Sequence, residues 1–232
     1  MVESSEIPLF HVVGFSGHRQ ISESERLGTA IRSVLDSLRK LAHGEWLGLS
    51  SVAEGGDQVF VEQVRSLGLS WHAILPLPRD EFSKDFPREE WPKVEALING
   101  AEHVRVITEN GTREDAYLDC GMATVEGCDV LLAVWDGEPA RGKGGTGDIV
   151  AYARSLGRPL FLIDPTTLET TRENVDRLEV GDSGLETLNH LPATHASNAE
   201  NPFKAPTSIF AFQQKCDNAA SRSAPQFRRL IV

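Results

Sequence analysis

Three glycine-containing segments hold the residues best suited to bind a phosphate group. Glycine lets the backbone approach an anion closely and adopt positive φ angles, so that amide groups can surround the phosphate without an intervening side chain. Neighbouring hydroxyl and cationic groups add hydrogen bonds and charge. The sequence therefore predicts a site for a nucleotide or a nucleotide-derived phosphate ligand. The predicted ligand-binding residues are Gly17, His18, Arg19, Glu54, Gly55, Gly56, Asp57, Asp136, Lys143, Gly144, Gly145 and Thr146.

The cations and the hydroxyl of this set each have two interpretations. Arg19 either makes a bidentate contact to phosphate or fixes its turn through an internal carboxylate. Lys143, together with Arg141, either supplies positive charge to the ligand or is a solvated loop cation. Thr146 donates its hydroxyl to a phosphate in one interpretation; in the other, Thr146 or Asp148 is the N-cap of a helix, a role that does not exclude binding.

The acids and one aromatic residue are similarly ambiguous. Asp57 is interpreted first as the cap of a helix beginning at Gln58, and second as an acceptor for a ribose or base. Asp136 either orients a ribose hydroxyl or closes a turn. Tyr117 either offers a stacking surface or packs inward from a helix. Arg79 is placed at the rim of the pocket.

Alternating apolar runs and helix-like stretches predict the elements that position these residues. The pattern is typical of an α/β fold with a Rossmann-like, doubly wound, mainly parallel sheet and helices on both faces. The predicted strands are His11–Phe15, Trp46–Ser50, Trp71–Leu75, His103–Ile107, Val130–Trp135 and Pro159–Ile163, and the predicted helices are Glu23–Ala42, Gln58–Leu67, Glu90–Ile98, Ala116–Glu126 and Ile149–Leu156. At the start of the first helix, the sequence Ser22-x-x-Glu25 matches the capping-box motif. Because the carboxyl ends of parallel strands share one edge, the three glycine segments are expected to converge.

The composition of the chain limits the expected binding partners and the expected cellular compartment. The net charge of -11 over 232 residues argues against general nucleic-acid binding, which requires clustered Lys and Arg. Three cysteines without a C-x-x-C pair fit reduced thiols, and the N-terminus lacks the features of a secretory signal, so the expected location is the cytoplasm. No Cys or His spacing predicts a metal site, although a magnesium ion could accompany a phosphate.

The chain divides by composition into residues 1–165, the predicted Rossmann-like nucleotide-binding domain, and residues 166–232, an irregular extension or linker with one predicted helix within Ser208–Arg229. The basic and then apolar ending, Arg228 to Val232, predicts continuation into an effector domain or a membrane segment.

Five ordered motifs resemble the SLOG superfamily, the Rossmann-like group that includes cytokinin-activating phosphoribohydrolases, DNA-processing A proteins and nucleotide-sensing domains. They are Gly17-His18-Arg19, Ala53-Glu54-Gly55-Gly56-Asp57, Leu75-Pro76-Leu77-Pro78, Ala133-Val134-Trp135-Asp136-Gly137 and Gly144-Gly145-Thr146. The resemblance implies a nucleotide-derived ligand at the ends of the first, second and fifth strands, sometimes cleavage of an N-glycosidic bond, and assembly into homo-oligomers.

The sequence departs from the phosphoribohydrolase signature, which is similar to P-G-G-x-G-T-x-x-E. Aligning its glycines with Gly144, Gly145 and Gly147 places Ala151 where the signature has its catalytic glutamate. Glu54, Asp57, Asp119 or Asp136 could still enter the pocket, and Glu54 and Asp136 are the catalytic candidates if the chain is an enzyme. The favoured function is therefore the sensor module of a larger signalling or defence protein. The alternative is a nucleoside or nucleotide N-glycosidase or ribosyltransferase, and a purely structural domain ranks last.

Overall fold

A computed structural model describes residues 9–107, 112–140 and 142–178. The chain separates into two units, Phe10–Val180 and Met1–Leu9 with Gly181–Val232, and the first of these contains the sheet. The helix predicted within Ser208–Arg229 lies outside the described residues. The division of the chain at residue 165 stays a prediction.

Seven strands form one sheet in the order β4-β3-β2-β1-β5-β6-β7. The strands β1 to β6 are parallel, and β7 pairs antiparallel with β6 at one edge. Their bounds are β1 Phe10–Gly17, β2 Glu45–Ser50, β3 Ser70–Leu75, β4 His103–Val106, β5 Val130–Val134, β6 Leu160–Ile163 and β7 Thr170–Glu173.

Six α-helices connect these strands within the described residues. Their bounds are α1 Ser24–Leu41, α2 Gly56–Ser66, α3 Arg79–Phe82, α4 Trp91–Asn99, α5 Arg113–Glu126 and α6 Thr146–Ser155, with short 3-10 turns at Ser83–Asp85 and Val175–Arg177. No described helix is long and apolar enough to cross a membrane.

The central strand β5 shows why the sheet carries helices on both faces. All five of its residues are buried. Successive residues belong to different apolar clusters: Leu132 packs with residues of α1, α2 and α4, whereas Leu131 and Ala133 pack with residues of α5 and α6. Since successive side chains of a strand point to opposite faces, a strand covered on both sides is apolar without alternation. The predicted doubly wound α/β fold is confirmed.

Every strand and helix predicted between His11 and Ile163 is present within three residues of its expected ends, and two corrections follow. The predicted capping box is wrong, because α1 begins at Ser24 and the preceding Glu23 makes no capping hydrogen bond; Glu23 pairs with Arg26 instead. The strand β7 was not predicted, because its polar, exposed residues lack the apolar alternation that marks a half-buried strand.

Candidate functional site

The site lies where the winding of the sheet reverses. β1 and β5 are neighbours, with Gly17 in register with Val134, and the chain continues from β1 toward β2 on one side and from β5 toward β6 on the other. In open α/β sheets the crevice outside the carboxyl ends of such strands is the usual place for a ligand. The glycine segments therefore converge, as predicted, at the edge of the sheet where its winding reverses.

A cleft of about 1230 Å³ opens at this edge. Ten of the twelve predicted ligand-binding residues line it: Gly17, His18, Arg19, Glu54, Asp57, Asp136, Lys143, Gly144, Gly145 and Thr146. Residues that the sequence did not indicate also line it, among them Asp85, Arg113 and Glu114. Of the four candidate acids, Asp119 does not line the cleft.

Gly55 and Gly56 join two loops instead of lining the cleft. The amide of Gly56 donates to the carbonyl oxygen of His18 over 3.0 Å. Gly55 has φ +85°, and a Cβ atom there would lie 2.1 Å from the carbonyl oxygen of Arg19. These two glycines therefore allow the loop after β2 to pack directly on the loop after β1.

Asp57 anchors the loop after β2. Its Oδ1 accepts hydrogen bonds from the hydroxyls of Ser50 (3.0 Å) and Ser51 (2.8 Å), and the Ser50 hydroxyl oxygen accepts from the amide of Val52. Val52 has φ +58°, a strained conformation for a β-branched residue that persists only where its surroundings enforce it. The preferred interpretation of Asp57 as a helix cap is wrong, because it lies within α2 and α2 has no side-chain cap.

Burial raises the pKa of Asp57 from 3.8 to about 6, against the hydroxyl hydrogen bonds and the charge of Arg19, which lower it. The carboxyl is 3% exposed and lines the cleft. Desolvation disfavours the charged form of an acid. Asp57 is therefore a carboxyl beside the cleft whose pKa of about 6 lies well above the ordinary value of an aspartic acid.

Asp136 closes the turn after β5, one of its two predicted roles. Its Oδ1 accepts from the amide of Glu138 over 3.1 Å and lies 3.3 Å from His18 Nε2. The backbone amide of Asp136 also approaches that nitrogen, at 3.2 Å. His18 and Asp136 thus tie the loop after β1 to the loop after β5, and each side chain remains 24% exposed.

The loop from Gly142 to Gly147 leads into α6 at the cleft. Gly145 precedes the helix and Thr146, 7% exposed, is its first residue, so neither Thr146 nor Asp148 is the N-cap. Asp148 Oδ2 reaches back to accept from the amide of Gly144 over 3.0 Å. Within the part of the chain that the structure describes, the amides of Thr146 and Gly147 have no acceptor. Two N–H donors at the start of a helix are thereby left for a ligand.

This loop packs on the first turns of α5. Gly144 has φ +79°, and a Cβ atom on it would lie 2.6 Å from the backbone nitrogen of Leu118. Lys143 forms an ion pair with Asp115 of the same helix. The pair lowers the pKa of Asp115 and raises that of Lys143. Lys143 therefore has a protein partner beside the cleft, while Arg141 lies outside the described residues.

Arg19 and Tyr117 face each other across the cleft wall. The guanidinium carbon of Arg19 lies 4.9 Å from the centroid of the Tyr117 ring. Arg19 forms no ion pair with any described residue, so its turn is not fixed by an internal carboxylate there. Burial and the neighbouring Asp85 raise the pKa of Tyr117, whose hydroxyl donates to Asp85 Oδ2.

The predicted position of Arg79 at the rim is wrong. Arg79 donates to Asn99 Oδ1 over 2.6 Å and does not line the cleft. The residues that occupy this wall instead, Asp85 and Arg113, lie 28 positions apart and pair through Arg113 Nε and Asp85 Oδ1 at 2.7 Å. No local spacing in the sequence signals such a long-range pair.

No protein family matches the chain, and no curated protein matches it. Among solved structures, DNA processing protein A from Streptococcus pneumoniae superposes with a TM-score of 0.51 at 18% identity over 77% of this chain. The chain shares the Rossmann-like fold of that protein. It spans 56% of that protein's length. DNA processing protein A from Helicobacter pylori superposes with a TM-score of 0.47 at 18% identity, covering 67% of this chain and 69% of that one.

The shared fold agrees with the resemblance to the SLOG superfamily, a group that includes DNA-processing A proteins. The same comparison corrects the prediction about nucleic acids. The acidic net charge predicted that the chain does not bind nucleic acids in general. The shared fold is that of a DNA-processing protein. The exclusion is wrong, because net charge averages over the whole surface whereas binding depends on the local arrangement of donors and cations.

Proposed function

We propose that the cleft binds a nucleotide or a nucleotide-derived phosphate, and that the chain is the sensor module of a larger signalling or defence protein. The observation that carries the proposal is the pair of amides at Thr146 and Gly147, which have no acceptor among the described residues and begin a ten-residue helix. The N-terminus of a helix carries partial positive charge and presents N–H groups to an anion. A phosphate at this position satisfies both donors.

Two cations that line the same cleft are available to that anion at small cost. Lys143 is 49% exposed in its pair with Asp115, and exposed pairs of this kind contribute little to stability. Replacing the Asp115 carboxylate by a phosphate oxygen as the partner of Lys143 therefore costs little free energy. Arg19 adds a second charge without breaking any ion pair to a described residue.

The balance of charge in the cleft limits the size of the anion. Its described lining includes six carboxylates, from Glu54, Asp57, Asp85, Glu114, Asp136 and Glu138, against three cations, from Arg19, Arg113 and Lys143. Arg113 is already paired with Asp85. This balance of charge fits a ligand with one or two phosphates, either a free nucleotide or the terminal phosphate of a nucleic-acid strand. A magnesium ion bound to the phosphate would reduce its repulsion by the acidic residues.

A binding screen tests the proposal. Purified chain is titrated calorimetrically, with and without magnesium, against nucleoside monophosphates and diphosphates, cyclic dinucleotides, ADP-ribose and a short single-stranded oligonucleotide carrying a 5′-phosphate. We expect saturable binding of at least one ligand, recovered intact by chromatography. Failure of the whole panel to bind would contradict the proposal.

Matched lysine variants locate the binding. Lys143→Met removes the lysine beside Gly144 and is expected to weaken binding about tenfold, since it removes one charged hydrogen bond. Lys93→Met removes an exposed lysine that pairs with Glu62 and does not line the cleft. Equal effects of the two substitutions would place the ligand elsewhere.

A second candidate, N-glycoside hydrolysis, is favoured by the protonation of Asp57 near pH 6. A carboxylic acid with such a pKa can protonate a departing base, while Glu54 or Asp136 in the same cleft stabilises the sugar cation or activates water. Asp57 gives its proton to the base as the C–N bond breaks, the water oxygen bonds to the anomeric carbon, and the proton lost by the water goes to Glu54 or Asp136. Release of free base by wild type, lost in Asp57→Asn and in Glu54→Gln or Asp136→Asn, would establish this activity in place of sensing.

A further inference from the structure

One wall of the cleft carries an aromatic ring that the phosphate-binding elements do not use. Tyr117 projects from α5, is half-buried and lines the cleft. Arg19, which is exposed, comes from the loop after β1 and places its guanidinium carbon 4.9 Å from the ring centroid. A planar cation thus lies on a planar ring at the surface of the cleft.

The ring is fixed in place before any ligand arrives. The Tyr117 hydroxyl donates to Asp85 Oδ2, and Arg113 holds the other oxygen of the same carboxylate, Oδ1, through Nε at 2.7 Å and Nη2 at 2.6 Å. Arg113 Nη2 also donates to the carbonyl oxygen of Glu81 over 2.8 Å. This network joins α5 to the segment after β3. Because the ring is already held, a ligand that stacks beside it loses little side-chain entropy in the protein.

We infer that the base of the ligand stacks on the Arg19–Tyr117 pair while its phosphate lies at the start of α6. The inference rests on the proposed function and deepens it, because it makes the base, and not the sugar phosphate alone, a determinant of binding. Guanidinium planes and aromatic rings are the groups on which proteins stack bases. Arg19 suits this role since it has no ion pair with a described residue to hold it elsewhere.

The inference is tested by a ratio of affinities. The dissociation constants of ribose 5-phosphate and of the tightest-binding nucleoside 5′-monophosphate are measured calorimetrically on the full chain. Their ratio isolates the base, because both ligands carry the same phosphate and sugar. In wild type we expect the nucleotide to bind at least about tenfold more tightly, the range of one base stacked on an aromatic side chain.

Three variants separate stacking from charge and from packing. Arg19→Lys keeps the charge and removes the plane, and Tyr117→Leu removes the ring. Each is expected to lower the ratio about tenfold, because a loss of affinity for the shared phosphate affects both ligands alike and cancels in the ratio. Tyr117→Phe keeps the ring and loses only the bond to Asp85 that holds it, so the ratio should fall much less than in Tyr117→Leu. The Arg19 side chain is exposed, so Arg19→Lys keeps the test valid even where Tyr117→Leu fails to fold.

A second cation–π pair provides the control. Arg154 lies over the ring of Trp135 at 5.0 Å, and neither residue lines the cleft, so Arg154→Lys should leave both affinities unchanged. A wild-type ratio near one, or a ratio unaltered by Arg19→Lys, would overturn the inference while leaving phosphate binding intact. Failure of both ligands to bind, together with the rest of the panel, would overturn the proposed function itself.

Discussion

The carbonyl oxygen of Arg19 occupies the space that a side chain on Gly55 would need, at 2.1 Å from the position of a Cβ atom. The neighbouring amide of Gly56 donates to the carbonyl oxygen of His18. The loops after β1 and β2 are therefore packed backbone against backbone. Arg19 lies in the first of these loops and Asp57 lies in the first turn of α2, directly after the second, so their relative position depends on the absence of a side chain at residue 55.

Gly55→Ala is predicted to lower the free energy of unfolding by about 3 kcal/mol or more, because it adds a backbone clash to the strain of a positive φ. Gly68→Ala is the matched control. Gly68 also has a positive φ, +68°, but a Cβ atom there meets nothing within 4 Å, so the loss should be about 1 kcal/mol. Denaturant unfolding of both variants gives the comparison. Equal losses would mean that the two loops are not packed as described.

Asp115→Asn is predicted to strengthen the binding of a phosphate ligand about two- to fivefold, the range expected when a surface ion pair no longer competes for Lys143. The asparagine keeps the size of the side chain, and calorimetric titration measures the change. Glu62→Gln releases Lys93, which does not line the cleft, and should change nothing. Weaker binding in Asp115→Asn would show that the carboxylate itself contacts the ligand.

Asp57 is predicted to make stability depend on pH in a defined window. Folding raises its pKa from 3.8 to about 6, so between these values the folded state holds the proton more tightly than the unfolded state does. The free energy of unfolding of wild type, relative to Asp57→Asn, should therefore fall as pH rises from about 4 to 6. The total loss approaches about 3 kcal/mol at about 1.4 kcal/mol per pKa unit.

Denaturant unfolding of wild type and Asp57→Asn at half-unit pH steps measures this difference, and carboxylates shared by both proteins cancel in it. A difference that rises with pH over the same range would mean that the carboxylate is stabilised in the folded protein and that its pKa is depressed.

The sheet could be predicted from the sequence because its signal is local. A strand such as Val130–Val134 is apolar throughout, which is typical of a strand buried on both faces. The segment Thr170–Glu173 gives no such signal. It forms β7 because β6 offers an open edge, and its place is set by backbone hydrogen bonds to Leu160–Ile163, which every sequence can make.

The location of the candidate site could be predicted more fully than the contacts between its side chains. Parallel topology alone brings the loops after β1, β2 and β5 to one edge, so ten of the twelve predicted residues line the cleft. Long-range partners in the cleft were not foreseen, because they come from distant elements: Asp115 lies 28 residues before Lys143, and Asp85 lies 32 before Tyr117. Side-chain pairing across a cleft depends on packing, which periodicity does not encode.

The most direct test of the central claim is a titration followed by amide signals in a ¹H–¹⁵N correlation spectrum. The tightest ligand of the binding screen is added to labelled wild-type protein. The proposed site predicts that the amides of Gly17, Thr146 and Gly147 shift together and saturate with one dissociation constant, because they surround one cleft. Saturable shifts confined to residues that do not line the cleft would contradict the claim that the ligand binds there.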